Sequence, residues 1–256
     1  MIITPGYVPG VFHRRDSMIV RENNAGKTVL IRQHDHAAIS GEIARHWRKD
    51  DSDSPVQRPE TIMAIDQHDR AWIPLDEVPK QKPDGEGFYS FIDYPLTDKL
   101  RAYQQGIMEV REQSRYAAIL CSRHYCSFFS NHTEDEQIKA FLDREHGLQQ
   151  ADIQTLTSAE SATLDIDQKM LSFCDDVSLY LCMNQPGVSK QNEVKWFRDG
   201  FGEKFSFADK IIGEWVSSVE VKLTPSPLES PVRVAIPQVV VDGDEFREEK
   251  LWVTVT

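Results

Sequence analysis

Histidine stands beside aspartate twice in this chain, at His34-Asp35 and at His68-Asp69. A neutral imidazole nitrogen and a carboxylate oxygen both donate electron pairs, so such a pair can fill two positions around a divalent cation. The second copy closes the apolar-led run Ile62-Met63-Ala64-Ile65-Asp66-Gln67-His68-Asp69-Arg70-Ala71-Trp72, which reads as one helix. Adjacent side chains on a helix leave its axis about 100° apart. His68 and Asp69 can therefore converge only on an ion between their directions, and other segments must complete the site. Three stretches offer ligands. Gln33-His34-Asp35-His36 opens a helix and puts His36 in its first turn, on the side of Ile39 and Ile43. The run Tyr116 to Tyr125 places His124 one turn after Leu120 on an apolar face. Finally, Asp175 and Asp176 interrupt an otherwise greasy helix, where a buried carboxylate needs a compensating partner.

Each candidate also has a plainer reading. His68-Asp69 suits a solvated helix end with a salt-bridged histidine, and His36 suits a cap on its own helix turn. Either carboxylate of Asp175-Asp176 can pair with Arg123 or Lys169. His124 reads equally as a hydrogen-bonded core histidine or as a substrate contact. Trp72 is a core anchor before it is a stacking surface. His13, His132 and His146 fall in an arm, a loop and a helix end, and Arg198 in a solvated loop.

The elements that must position these residues are mostly helical. Residues 1–17 read as a loose arm with turns at Pro5-Gly6 and Pro9-Gly10. Met18–Arg21 and Thr28–Ile31 read as two short strands, and Met18 is an alternative start of the folded unit. A helix follows from Asp35 to about Lys49, with Ile39, Ile43 and Trp47 on one stripe and cations in its last turn. After a polar loop from Asp50 to Pro59 and the central helix, Ile73 to Pro95 reads as a long ordered loop. Helices follow over Leu100 to Arg111 and Tyr116 to Phe129. Thr133 opens another that stops at His146-Gly147, and Thr157 opens a long one through Leu181. Residues 184–204 form a polar insertion. From Val216 the pattern changes to alternating Val and Leu, with Asp242-Gly243 between two strands, as in a hairpin or small sheet. The expected fold is mainly α: a helical bundle over 18–215 with short N-terminal strands, and a β-rich appendage over 216–256.

Composition bounds the function. A chain of 256 residues with a net charge of −12 is ill suited to nucleic acid polymers or anionic membranes. No apolar run reaches the roughly 20 residues needed to span a bilayer, and the N-terminus lacks the pattern of a secretory signal. A cytoplasmic location is expected. The four cysteines, Cys121, Cys126, Cys174 and Cys182, include no Cys-x-x-Cys pair and read as buried free thiols.

The order His, His-Asp, Asp on separate helices resembles the metal-dependent phosphohydrolase superfamily named for its His-Asp pair, and Asp175-Asp176-Val177-Ser178 resembles that superfamily's Asp-x-aliphatic-Ser context. More closely, the chain is similar to an uncharacterised bacterial family of unknown function. The stretches that carry this likeness are Met18–Arg21, Gln33–Ala37, His68–Trp72, Tyr116–Leu120 and Ser178–Cys182. That family tends to have glycine before the tryptophan, where this chain has Ala71.

The resemblance implies an HD-like bundle in which His36, His68, Asp69 and Asp175 bind one divalent transition metal (Mn, Fe, Ni or Zn). Asp69 and His124 are then the catalytic candidates, with His34, Asp176 and Trp72 as supporting or substrate contacts. The chemistry implied is attack of metal-activated water on a small phosphorylated molecule or nucleotide. Two other classes remain open at this point: a di-iron oxygenase that also uses His34 and His124, and a binding or regulatory module without catalysis. The tail can cover the helical unit, offer an edge strand, or join two copies as a homodimer.

Overall fold

Apolar residues alternate in strands at both ends of the chain, and both ends meet in one sheet. The computed structural model describes residues 17–48, 58–77, 80–83, 85 and 87–256. The expected arm, apart from its last residue, and nearly all of the expected 50–59 loop lie outside them. The strands are β1 (Ser17–Glu22), β2 (Thr28–Ile31), β3 (Tyr89–Ser90), β4 (Ile212–Ser217), β5 (Glu220–Thr224), β6 (Val232–Asp242) and β7 (Glu245–Val255). The helices are α1 (Gln33–Arg45), α2 (Pro59–Gln67), the short α3 (Ile73–Asp76), α4 (Leu96–Arg111), α5 (Arg115–Ser127), α6 (Glu136–Ile153) and α7 (Ser158–Met183).

The sheet has seven strands in the order β3-β1-β2-β6-β7-β5-β4. It is mixed: β1 with β3 and β5 with β7 run parallel, and the other pairs run antiparallel. This overturns the expected mainly-α (all-α) bundle with a small C-terminal hairpin, since 46% of the described residues are helix and 22% strand. The decisive pairing is β2 with β6, Val29 against Val240 and Leu30 against Val239. Local alternation shows that each segment is a strand, but it does not reveal a partner at the far end of the chain. The β6–β7 hairpin does turn at Asp242-Gly243, with Asp242 opposite Glu245 and Gly243 at φ 59°.

Ile19, Val29, Ile31, Val234, Ile236 and Val253 share one face of the sheet and join the main core with Ile43, Phe173 and Leu181 of the helices and Trp47 just after α1. The opposite face carries a small cluster of Met18, Leu30 and Val239. A separate core of Trp72, Tyr103, Ile107, Tyr125 and Phe141 lies where α4, α5 and α6 meet the segment after α2. Among the helices, α1 packs on α2 and α7, and α5 packs on the same two. All four cysteines are buried and free. No helix among the described residues is long and apolar enough to cross a membrane.

Several boundaries move. α1 ends at Arg45 because Trp47 pairs with Leu228 and Arg48 N–H donates to the Pro227 carbonyl, so the expected last turn belongs to a link with the sheet side. The expected loop over 73–95 contains α3 and β3. The Asp135 carboxylate, not Thr133, caps α6, which runs through His146-Gly147 to Ile153. The 184–204 insertion buries Phe197 and Phe201. Thr157 and Glu160 form the expected capping box at the start of α7.

Candidate metal centre

The central helix breaks between the two residues of its His-Asp pair. His68 still has helical angles, φ −58° and ψ −29°, whereas Asp69 has φ −107° and ψ 22°. The Asp69 carbonyl then accepts from Trp72 N–H and starts a 3-10 turn over Arg70–Trp72. The two side chains are therefore not fixed at the helical 100° assumed from the sequence, and the break lets them share one centre. α4 presses on this turn at Gly106, where an added Cβ would lie 2.7 Å from the Ala71 Cα. Gly106 thus makes room for the alanine that stands at position 71.

Five side chains from four segments converge there: His36 from α1, His68 and Asp69 after α2, His124 from α5 and Asp175 from α7. They form two overlapping donor sets, His36–His68–Asp69 and His68–His124–Asp175, with the ligand atoms of each set within 4.8 Å of one another. His68 Nε2 lies 3.3 Å from Asp175 Oδ1 and 3.9 Å from Asp69 Oδ2. His36 Nε2 lies 2.7 Å from Asp69 Oδ2, and His124 Nε2 lies 3.8 Å from Asp175 Oδ2. Donor atoms about 2.1 Å from a common cation stand about 3.0 to 3.4 Å apart at octahedral or tetrahedral angles. The observed separations bracket that range.

Hydrogen bonds around the cluster fix which nitrogens face inward. His68 Nδ1–H donates to the Ile65 carbonyl at 2.8 Å, so its Nε2 lone pair points at the carboxylates. That Nε2 is fully buried and has no hydrogen-bond partner. The Ser178 hydroxyl donates to the Asp175 carbonyl at 2.9 Å and accepts from the Ser40 hydroxyl at 2.8 Å. Its remaining lone pair takes His36 Nδ1–H at 2.7 Å, which turns the lone pair of His36 Nε2 toward Asp69. Two imidazole lone pairs facing two carboxylates repel unless a proton or a cation lies between them.

Without a cation, burial disfavours a charge on His68, but the carboxylates of Asp69 and Asp175 beside it outweigh that and raise the pKa to about 9. Burial works against the Asp175 charge as well, yet His68, His124 and His36 hold its pKa well below the usual carboxylate range. Burial lowers the His124 pKa to about 4, with Asp175 opposing and His68 adding, so this ring is neutral at pH 7. The donor set, two carboxylates with three imidazoles, fits a divalent transition metal.

The other sequence candidates lie around this centre. His34 and Asp176 belong to neither donor set among the described residues. His34 Nδ1 is buried without a partner. Asp176 lines a neighbouring cavity, and its pKa is raised to about 7 by burial and then by Asp175. Trp72 is buried, lines the same cavity and meets Tyr94 and Tyr103 edge-on. Arg123 pairs with Asp165, not with Asp175. Sequence reasoning missed Ser40, the cavity lysine Lys99 and the aromatic walls other than Trp72; a serine one turn after His36 on the same helix face was the available signal for the first.

A family model described as protein of unknown function (DUF3891) matches residues 18–243. The chain belongs to that family. The DUF3891 match covers all five donors, Ser40 and Ser178, the seven helices and strands β1 to β6 apart from Ser17, while β7 lies beyond it. Among curated proteins and among solved structures, nothing matches the chain.

Proposed function

We propose that this protein is a metal-dependent phosphohydrolase acting on a small phosphate ester, with His36, His68, Asp69 and Asp175 holding one divalent transition metal. The observation that carries the assignment is the buried His68 Nε2, which makes no hydrogen bond and faces two carboxylates at 3.3 and 3.9 Å. The order of the donors along the chain supports it, through its likeness to the His-Asp phosphohydrolases. A bound divalent cation lowers the pKa of a coordinated water and polarises a phosphoryl oxygen. Ser178 and the Ile65 carbonyl keep His36 and His68 oriented as donors. His124 faces both the cluster and the adjoining cavity, and as a neutral ring it can donate one hydrogen bond to a phosphoryl or leaving-group oxygen. Asp69 lines that cavity too and can orient the attacking water. The chain's charge of −12 favours a small substrate over a nucleic acid polymer.

The test is elemental analysis of the purified protein together with turnover of simple phosphate esters in Mn, Fe, Ni or Zn. One metal per chain, with turnover abolished by chelation and restored by metal, is the expected result. His68→Ala and Asp69→Ala should each lose the metal while keeping the far-ultraviolet spectrum of the folded chain. Stoichiometric metal retained by both variants would sink the ligand assignment.

A further inference from the structure

Beside the donors lies a cavity of about 510 Å3, into which His36, Asp69, His124 and Asp175 face. Its walls are chiefly rings. Trp72, Tyr103 and Phe197 form buried wall, while Ile92, Phe128 and Trp196 line it and remain 56%, 51% and 56% exposed. Large apolar side chains left in water at the edge of a polar site mark a surface that meets an apolar ligand.

Two polar groups in the same cavity specify more. Gln33 is buried, and its Oε1 has no hydrogen-bond partner in the protein. A buried amide oxygen without a donor is costly, and a ligand hydroxyl or N–H would supply one. Lys99 Nζ donates to the Phe91 and Ile92 carbonyls at 3.2 and 3.5 Å, which ties this cation to the cavity wall and leaves a third proton to offer.

Charge sets the size of the anion. The two positive charges of a divalent metal would offset Asp69 and Asp175; of the other charged groups in the lining, Lys99 is the one ammonium or guanidinium among the described residues and Asp176 is a further carboxyl. That leaves no cationic surplus for the several charges of a triphosphate, and the fewest unmet charges with a single phosphate. Gln33 can take one hydroxyl or N–H, but the rings that make up most of the wall offer a sugar's other hydroxyls no partner. We propose that the cavity takes a small aromatic phosphate monoester: the ring stacks between the inner and outer aromatic walls, the phosphate reaches Lys99 and the metal, and one ligand donor reaches Gln33. This rests on the phosphohydrolase assignment for its reaction but not for its binding.

The test uses the Mn2+-loaded full chain. Turnover is compared for 1-naphthyl phosphate, ribose 5-phosphate and ATP, and binding is measured separately with the non-hydrolysable 1-naphthylmethylphosphonate; the naphthyl probes read the ring and phosphate contacts and leave Gln33 unpaired. Loss of one aromatic contact should weaken phosphonate binding about tenfold in Trp196→Ala and in Phe128→Ala; both residues are exposed, so folding is not at risk. Lys99→Met should weaken it as well. The expected order of kcat/KM is 1-naphthyl phosphate above ribose 5-phosphate above ATP, with the first gap narrowed in Trp196→Ala. Phosphonate binding that depends on Trp196, with no ester turned over, would uphold this ligand class and refute the hydrolase assignment. Turnover with no preference for the aromatic ester, and phosphonate binding indifferent to Trp196 and Phe128, would overturn the ligand class and leave the hydrolase standing.

Discussion

Replacing Ser178 with alanine removes one oxygen and, on the geometry above, should loosen the metal. Ser178 Oγ accepts from His36 Nδ1 at 2.7 Å and from Ser40 Oγ at 2.8 Å. In Ser178→Ala, Ser40 can still donate to the His36 carbonyl, 3.2 Å away, so the group left stranded is the buried His36 N–H. An unsatisfied buried donor costs about 1–3 kcal/mol. Losing the partner that orients a ligating histidine typically costs about 10- to 100-fold in metal affinity. That loss corresponds to about 1.4–2.8 kcal/mol, so the two estimates agree. The assay is calorimetric titration of metal-free protein with Mn2+, paired with urea unfolding of the same samples. Ser122→Ala is the control: its hydroxyl is also buried, donating to Glu145 at 2.9 Å and accepting from Gln149 at 2.8 Å, but it belongs to neither donor set. Both variants should lose stability, and only Ser178→Ala should lose affinity. If both unfold more easily and neither Kd moves by more than about twofold, well short of the expected loss, His36 is not a ligand.

Further outcomes follow from the same structure. Chelation should lower the melting temperature, because metal present at 1,000 times its Kd stabilises the native state by about 4 kcal/mol. For a chain of this size that is a shift of about 8 to 16 °C, and an unchanged melt by scanning fluorimetry would refute bound metal. Gly106→Ala should destabilise the fold by about 1–3 kcal/mol and weaken metal binding, since its Cβ would push on the turn that carries Asp69; titration and urea unfolding read both. Burial raises the pKa of Asp167 despite its bonds from Tyr116 and Thr61. A carboxyl with a raised folded pKa lends stability that is full below its unfolded value, about 4, and is lost as pH rises through the folded one. The stability of the wild type relative to Asp167→Asn should therefore fall as pH rises above about 4; parallel urea-derived pH profiles would contradict this.

The chain's own letters determined the local elements. Apolar spacing marked the helices that carry His36, His124 and Asp175, the Thr157–Glu160 box marked the start of α7, and Asp242-Gly243 marked the hairpin. They also offered the five donors as candidates, because histidine and aspartate in apolar helical runs are chemically conspicuous. Tertiary structure alone decided that β2 would pair with β6, turning two apparent fragments into one sheet, since strand partners far apart in sequence leave no local periodicity. It likewise decided that α2 would stop at Gln67, where packing against Gly106 accommodates the 3-10 turn and lets His68 and Asp69 share one centre. Lys99, Gln33 and the aromatic walls beyond Trp72 were silent in the sequence for the same reason. Each is ordinary in its own segment and acquires meaning only from what the fold sets opposite it.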